Sequence, residues 1–330
     1  MNKAKIVHLG IGNVGKALVR QILEADCGLI YCGMFNSKDG IFNKSGLRKF
    51  EIKKFSSDLQ NISFGEILPF LNKNYIVVDT TASDKTYELL IKALQKGCSV
   101  VVSNKKPLCS DIRIFEHLML KSNGRFYYET TVGAGLPVIA TLKNLLDTGD
   151  KITKIEGCFS GTLGYIFSEL EKGVVFSRAV KKAFELGYTE PDPRDDLSGL
   201  DVARKALILA RTMGLKIELS EINLTSLYPK EMEVLSVPEF MHAIKKLDRS
   251  FSGKTLRYVA TIDGKSCRVG FKKVEKNSDL GSLDGPDNMV VFTTRRYANN
   301  PIVIKGPGAG TEVTASGVFA DILEAKRRMK

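Results

Sequence analysis

The chain is 330 residues long, 43% hydrophobic and 26% charged, the balance of a globular protein, and its length favours two packed substructures over a single core. Its formal net charge of +12 raises nucleic acid as a partner, but the Lys and Arg residues are interleaved with acids and fall in no helix-turn-helix, finger or RNA-binding signature, so a basic surface that draws phosphate-bearing cofactors and acidic metabolites is the reading kept. No window approaches the run of roughly 20 apolar residues that a membrane span needs, and the 3 histidines and 6 cysteines show no H-E-x-x-H or C-x-x-C spacing, which leaves metal hydrolysis and histidine-driven chemistry without support.

The first residues, Met1-Asn2-Lys3-Ala4-Lys5, run into an apolar segment with no signal-peptide core or small-residue cleavage site, so a cytoplasmic location is expected, with the scattered cysteines as reduced, mostly buried thiols. Lys5 to Leu9 then reads as a strand, followed by Gly10-Ile11-Gly12-Asn13-Val14-Gly15 and a helical-period stretch from Lys16 to Ala25. In that strand-turn-helix setting each glycine has a task. Gly10 permits the sharp turn, Gly12 lets the backbone approach a pyrophosphate, and Gly15 lets the helix pack on the sheet, while the helix N-terminus favours the phosphate charge.

A second strand, Leu29 to Phe35, ends at Asn36-Ser37-Lys38, where no carboxylate stands to repel a 2′-phosphate. NADP is therefore favoured over NAD, with Ser37 and Lys38 as candidate contacts; an ordinary solvated loop explains the same residues. Further strands, Tyr75 to Asp79 and Ser99 to Val102, flank a helix from Lys85 to Lys96. The alternation predicts an α/β fold with a Rossmann-type, doubly wound parallel sheet. Lys105, in Ser103-Asn104-Lys105-Lys106-Pro107, follows the last of these strands at the edge where ligands collect, although a Lys-Lys pair also suits a solvated surface.

Beyond about residue 135 the pattern changes to longer helices (Leu136 to Leu146, Arg178 to Leu186, Ser198 to Met213) and then to short strands (Tyr258 to Ile262, Cys267 to Phe271, Met289 to Thr293). That predicts an α+β substrate domain over 136–300, with 1–135 as the NAD(P)-binding domain and 301–330 returning to it as strand, Gly-rich turn and helix. The densest chemistry lies in the stretch from Tyr188 to Lys205. Four acids in seven residues, stiffened by two prolines, precede a helix on which Asp201 and Lys205 share a face; an acidic loop with a surface ion pair accounts for them equally well.

Six stretches, GIGNVG, VVSNKKPL, YYETTVGAGLPVI, SGTLGYIF, LGYTEPDPRDDLSGLDVARKALILAR and GPGAGTEVTASGVFADIL, resemble homoserine dehydrogenases, in particular the C-terminal half of bifunctional aspartokinase–homoserine dehydrogenases. They run in the family's order from residue 6 to residue 323. The resemblance implies an oxidoreductase that interconverts L-homoserine and L-aspartate 4-semialdehyde with NADP or NAD, in threonine and methionine biosynthesis. It implies Lys205 as the catalytic lysine, Lys105 as a second active-site lysine, and Glu190, Asp196 and Asp201 as substrate-binding acids. Thr81, Gly187 and Gly310 match dinucleotide contacts, and Glu129, Val132, Ala134 and Leu136 match a site for Na+ or K+. The resemblance also implies a homodimer, with 136–300 as the catalytic and dimerisation domain. On this resemblance Lys205 gives the proton to the developing alkoxide and takes it back in reverse, Lys105 assists, and Glu190 binds the substrate ammonium. Because the sequence begins at the first Rossmann strand and ends soon after the GPGAG turn, neither a kinase half nor a threonine-responsive regulatory extension is expected.

Overall fold

The computed structural model describes residues 4–37, 39–55, 62–250 and 255–329. It divides into two compact units, residues 1–135 with 310–330, and residues 136–309. None of the helices among the described residues is long and apolar enough to cross a membrane.

The first unit runs β1 (Ala4–Leu9), α1 (Asn13–Glu24), β2 (Leu29–Phe35), β3 (Gly40–Phe42), α2 (Lys49–Lys53), α3 (Phe64–Ile67), β4 (Tyr75–Asp79), α4 (Tyr87–Gln95), β5 (Ser99–Val102), α5 (Lys106–Cys109), α6 (Ile112–Ser122), β6 (Phe126–Tyr127) and α7 (Thr130–Gly133). A C-terminal helix (Thr311–Arg328) completes it. Its strands are ordered β3-β2-β1-β4-β5-β6, all parallel except β3, which turns back antiparallel on β2. Ile6, Val7, Ile76, Val77, Val78, Val100 and Val101 are fully buried, as strands covered by helices on both faces require. One face packs Ile6, Ile76, Val78 and Val101 against Ala17, Leu18 and Ile22 of α1 and Ala315, Val318 and Ile322 of the C-terminal helix. Since β1 pairs with β2 on one side and β4 on the other, the strand order reverses at the carboxyl ends of β1 and β4, where such sheets hold their ligands.

The second unit contains α8 (Val138–Asp147), β7 (Ile152–Cys158), α9 (Gly161–Glu171), α10 (Phe176–Glu185), α11 (Pro193–Leu197), α12 (Leu200–Thr212), β8 (Asn223–Leu224), α13 (Val237–Ala243), β9 (Leu256–Ile262), β10 (Cys267–Lys273), β11 (Asp287–Thr294) and β12 (Ile302–Pro307). Its sheet is ordered β12-β11-β7-β9-β10-β8 and is antiparallel apart from β8 against β10. The stretch after residue 301, expected to return whole to the first domain, is divided. β12 pairs antiparallel with β11 from Ile302 to Pro307 and stays in the second unit, and only the helix from Thr311 belongs to the first.

Candidate active site

In the first unit Gly10 takes φ +89, and a Cβ there would lie 2.7 Å from the Thr81 amide and methyl group. A Cβ at Gly15 would lie 2.4 Å from the Gly10 carbonyl oxygen. Around Gly12, which precedes Asn13 and Val14 at the start of α1, a Cβ would meet nothing within 4 Å. Two glycines are thus required by the protein's own packing, and the third leaves the helix N-terminus open to something else. Gly10, Ile11, Gly12, Ser37 and Thr81 together line a cavity of about 890 Å³, within the size range of small-molecule and cofactor sites.

The residues that shape this turn were not singled out from sequence. His8, fully buried, sets Nε2 2.9 Å from the Thr80 hydroxyl, which donates to the Gly10 carbonyl at 2.5 Å. That donation makes the Thr80 oxygen the acceptor, so His8 carries its proton on Nε2. Burial pushes the imidazole down to about 3, so it stays neutral and structural at ordinary pH. Asp79, at the end of β4, accepts from the Thr81 amide at 2.8 Å, the Thr86 hydroxyl at 2.7 Å and the Asn104 amide at 3.1 Å. Asn104 also donates to the Thr81 hydroxyl at 3.2 Å and the Ser83 carbonyl at 2.6 Å. Lys105 follows directly, at the N-cap of α5, so the buried Asp79–Asn104 network sets the backbone from which it projects. The signal for this pair was a carboxylate ending one largely apolar strand and an amide two residues beyond the end of the next.

Ser37 lies at the tip of the β2–β3 turn, closed by the Asn36 amide to the Asp39 carbonyl at 2.9 Å and the Asp39 amide to the Asn36 side chain at 2.8 Å. Lys38 lies outside the described residues. Asp39, passed over in the sequence, lines the same cavity as Ser37, so a carboxylate does stand near the end of β2. Gly310 caps the C-terminal helix at φ +123, and Gly187 in the second unit takes φ +70. Among the expected cation ligands, the Glu129 amide donates to Asp321 at 3.0 Å. Val132 and Ala134 are buried, the latter at φ +52, rare for alanine. The Leu136 carbonyl accepts from the Val138 amide at 2.8 Å. Among the described residues no group of three or more His, Cys, Asp or Glu is gathered as for a metal; a set with one carboxylate and carbonyls is of another kind.

In the second unit the acidic stretch divides into two parts. Asp192 caps α11, its carboxylate taken up by Arg194, whose Nη1 reaches the carbonyls of Glu233 at 2.8 Å and Leu235 at 2.6 Å. That pair is a structural clip, and the Arg194 guanidinium holds the Asp192 carboxyl below its usual range. Asp196 accepts the Glu190 amide at 2.8 Å. Its pKa is raised, first by burial and then by the charges of Glu190 and Asp201, which brings three carboxylates into one electrostatic cluster.

Lys205 supplies the opposing charge. Its Nζ lies 2.9 Å from Asp201 Oδ2 and donates to the Phe159 carbonyl at 2.7 Å, with its side chain 12% exposed against 43% for Asp201. Phe159 follows β7, and Gly157 makes room for its ring, since a Cβ there would fall 2.3 Å from the ring's tip. Helix α12, which carries both charges, starts at Gly199 with φ +72, and a Cβ at that point would lie 1.8 Å from the Tyr258 hydroxyl oxygen. Neither Phe159 nor the Gly199–Tyr258 contact is visible in local sequence. The geometry offers an anchored ammonium beside carboxylates able to receive a substrate cation, and, in the first unit, a cavity with an open helix N-terminus. The six cysteines are free thiols, all buried except the half-buried Cys27, and burial raises the pKa of Cys158 and Cys267 to about 12, which argues against a thiolate nucleophile.

Residues 137–323 match the family model for homoserine dehydrogenase, and residues 10–129 match that for the homoserine dehydrogenase NAD-binding domain. A bifunctional aspartokinase/homoserine dehydrogenase of Zea mays is 38% identical over 345 residues, covering 96% of this chain but 38% of its own length. The chain thus spans about two fifths of such relatives. A homoserine dehydrogenase of Emericella nidulans is 41% identical over 279 residues, covering 77% of this chain and 76% of its own. Among solved structures, a Candida auris protein of unknown function superposes with a TM-score of 0.91 at 34% identity, covering 99% of both chains. A hyperthermophilic archaeal homoserine dehydrogenase in complex with NADPH gives 0.78 at 27% identity, covering 98% of both. With a family model spanning more than half of the chain and a nucleotide-binding unit to match, the chain belongs to the homoserine dehydrogenase family.

Proposed function

We propose that the protein catalyses the NAD(P)-linked interconversion of L-homoserine and L-aspartate 4-semialdehyde. The observation that carries this reading is the Lys205 ammonium, held at 2.9 Å by Asp201 and at 2.7 Å by the Phe159 carbonyl, with the Asp201 charge acting in turn on Asp196 alongside that of Glu190. A bound nicotinamide would supply or accept the hydride. Lys205 gives a proton to the carbonyl oxygen as it is reduced and accepts it in reverse. Asp201 keeps the ammonium oriented, and Glu190 with Asp196 binds the substrate's own ammonium, which selects an amino acid over a plain aldehyde. Lys105 provides a second positive charge for the developing alkoxide.

The open approach at Gly12 and the glycines required at 10 and 15 support pyrophosphate binding at the start of α1, with Asn13, Val14, Thr81, Gly187 and Gly310 as further contacts. NADP is the proposed cofactor on the neutral Asn36-Ser37 tip, with Asp39 as the residue that would favour NAD. Glu129 with the carbonyls of Val132, Ala134 and Leu136 is the proposed ligand set for Na+ or K+, and a homodimer is the proposed assembly. The free thiols suit a reducing compartment; the cytoplasm is proposed, while several relatives are described as chloroplastic.

The test is NADPH oxidation with aspartate 4-semialdehyde by the purified protein, repeated with NADH. Lys205→Ala is expected to lose about 10²–10⁴-fold in turnover with NADPH affinity retained. Unchanged turnover in that variant would remove Lys205 from the mechanism, and no turnover in the wild type would remove the reaction.

A further inference from the structure

The first unit carries a second cleft, at the opposite edge of its sheet. Its volume is about 350 Å³, and it is lined by Lys73 ahead of β4, Ser99 at the start of β5, Arg125 and Tyr127 at the start of β6, and Arg328 at the end of the C-terminal helix. These are the N-terminal ends of β4, β5 and β6, whereas Asp79 ends β4 and Asn104 lies just beyond the C-terminal end of β5. The cleft shares no lining residue with the larger cavity.

Two independent features give it a chemical character. Three of its lining residues are cationic and none is Asp or Glu. In addition, the Tyr127 hydroxyl and Arg125 Nε are buried without a hydrogen-bond partner among the described residues, and Tyr127 is only 9% exposed. Arg125 is tied at one corner, its Nη2 donating to the Leu94 carbonyl at 3.4 Å. The neighbouring acids are already engaged. Glu324 is bound by Arg327 and Arg328 at 2.7 Å each, and Asp321 accepts the Glu129 amide at 3.0 Å.

Buried donors without acceptors are rare in folded proteins and point to a missing group. Arg Nε–H can only donate, and a tyrosine hydroxyl beside two arginines does so readily. A ligand that satisfies both and offsets the surrounding positive charge is rich in acceptors and anionic. We propose that this cleft binds phosphate, either free or as the end of a small phosphate monoester, held by Arg125, Tyr127 and Lys73 with Arg328 at the rim. Its volume is at the lower end of ligand-sized pockets and leaves room for an organic body beside the phosphate.

The experiment titrates inorganic phosphate, and in parallel glycerol 3-phosphate, into the full chain, with ionic strength matched by chloride and binding read by calorimetry. NADPH is present to occupy the larger cavity, and the result is taken from the difference between wild type and variants, so it holds whether or not NADPH binds. Saturable binding is expected, weakened at least tenfold by Arg125→Gln and by Lys73→Gln and several-fold by Tyr127→Phe. Tighter binding of glycerol 3-phosphate identifies an ester as the ligand, and equal affinity identifies the free ion. Absence of saturable binding by the wild type overturns the proposal, as does binding that Tyr127→Phe and Lys73→Gln leave unchanged. Tyr127→Phe, which removes a single oxygen, and Lys73→Gln, at an exposed position, carry the test should Arg125→Gln fail to fold.

Discussion

Replacing Gly199 with alanine probes how the helix that presents Asp201 and Lys205 is set. The residue caps α12 at φ +72, and the added Cβ would fall 1.8 Å from Tyr258 Oη, a hydroxyl that donates to the Thr225 carbonyl at 2.7 Å. Two costs follow. Holding alanine in the left-handed region costs about 1–2 kcal/mol. Driving the Tyr258 hydroxyl off its acceptor leaves a buried pair unmade, about 1–3 kcal/mol more. The sum, about 2–5 kcal/mol, corresponds to a fall in Tm on the order of 5–15 °C for a unit of this size. The assay is a thermal melt of four proteins: wild type, Gly199→Ala, Tyr258→Phe and the double variant. Tyr258→Phe alone already loses the bond to Thr225, so the double variant should cost less than the two singles added, by about 1–3 kcal/mol. Full additivity, or a Gly199→Ala protein that melts with the wild type, refutes the account of this cap.

Gly12→Ala and Gly15→Ala should separate binding from folding. The first has open space and an ordinary φ, so its melt should match the wild type while NADPH affinity falls at least tenfold; the second sets a methyl 2.4 Å from the Gly10 carbonyl and should lower Tm. A fluorescence titration beside a melt distinguishes them, and unimpaired NADPH binding by Gly12→Ala would count against the pyrophosphate reading. Asp196→Asn tests the raised carboxyl. Because burial and then the charges of Glu190 and Asp201 raise its pKa, its favourable contribution is complete below the ordinary carboxylate value of about 3.9 and is lost as pH rises through the raised one. The variant should therefore melt above the wild type at pH 7, converge with it near pH 4, and show a raised KM for the semialdehyde; a lower Tm at pH 7 would contradict the sign. For cofactor choice, Asp39→Asn removes a like charge from the cavity that Ser37 lines. The kcat/KM ratio of NADPH to NADH should rise about tenfold, as expected for about 1.4 kcal/mol of repulsion relieved, and an unchanged ratio would exclude Asp39 from the choice.

What was legible in the sequence was what is local. β2, β4 and β5 fall on the predicted Leu29–Phe35, Tyr75–Asp79 and Ser99–Val102 because continuous apolar runs bounded by turns suit strands buried on both faces. β7 escaped because Thr153, Lys154 and Glu156 interrupt its apolar residues. The structure shows why that is tolerated, with Glu156 paired to Lys154 at 2.8 Å and Lys272 at 2.6 Å. β12 was assigned to the wrong unit because a short strand carries no mark of the sheet it will join. In the site, the spacing of Asp201 and Lys205 set them on one helical face, and they do pair. Nothing in the run of acids, however, distinguished Asp192, consumed by an Arg194 that the 233–235 carbonyls hold in place, from Asp196, whose charge is left to the cluster. That distinction depends on partners about forty residues away in sequence, as does the Phe159 carbonyl against Lys205. A motif therefore supplies the kinds of group a reaction needs, but which of several identical groups is free to react is decided by distant backbone. For this chain that backbone is the 233–235 segment for the acids and, for Lys205, the residue that follows β7.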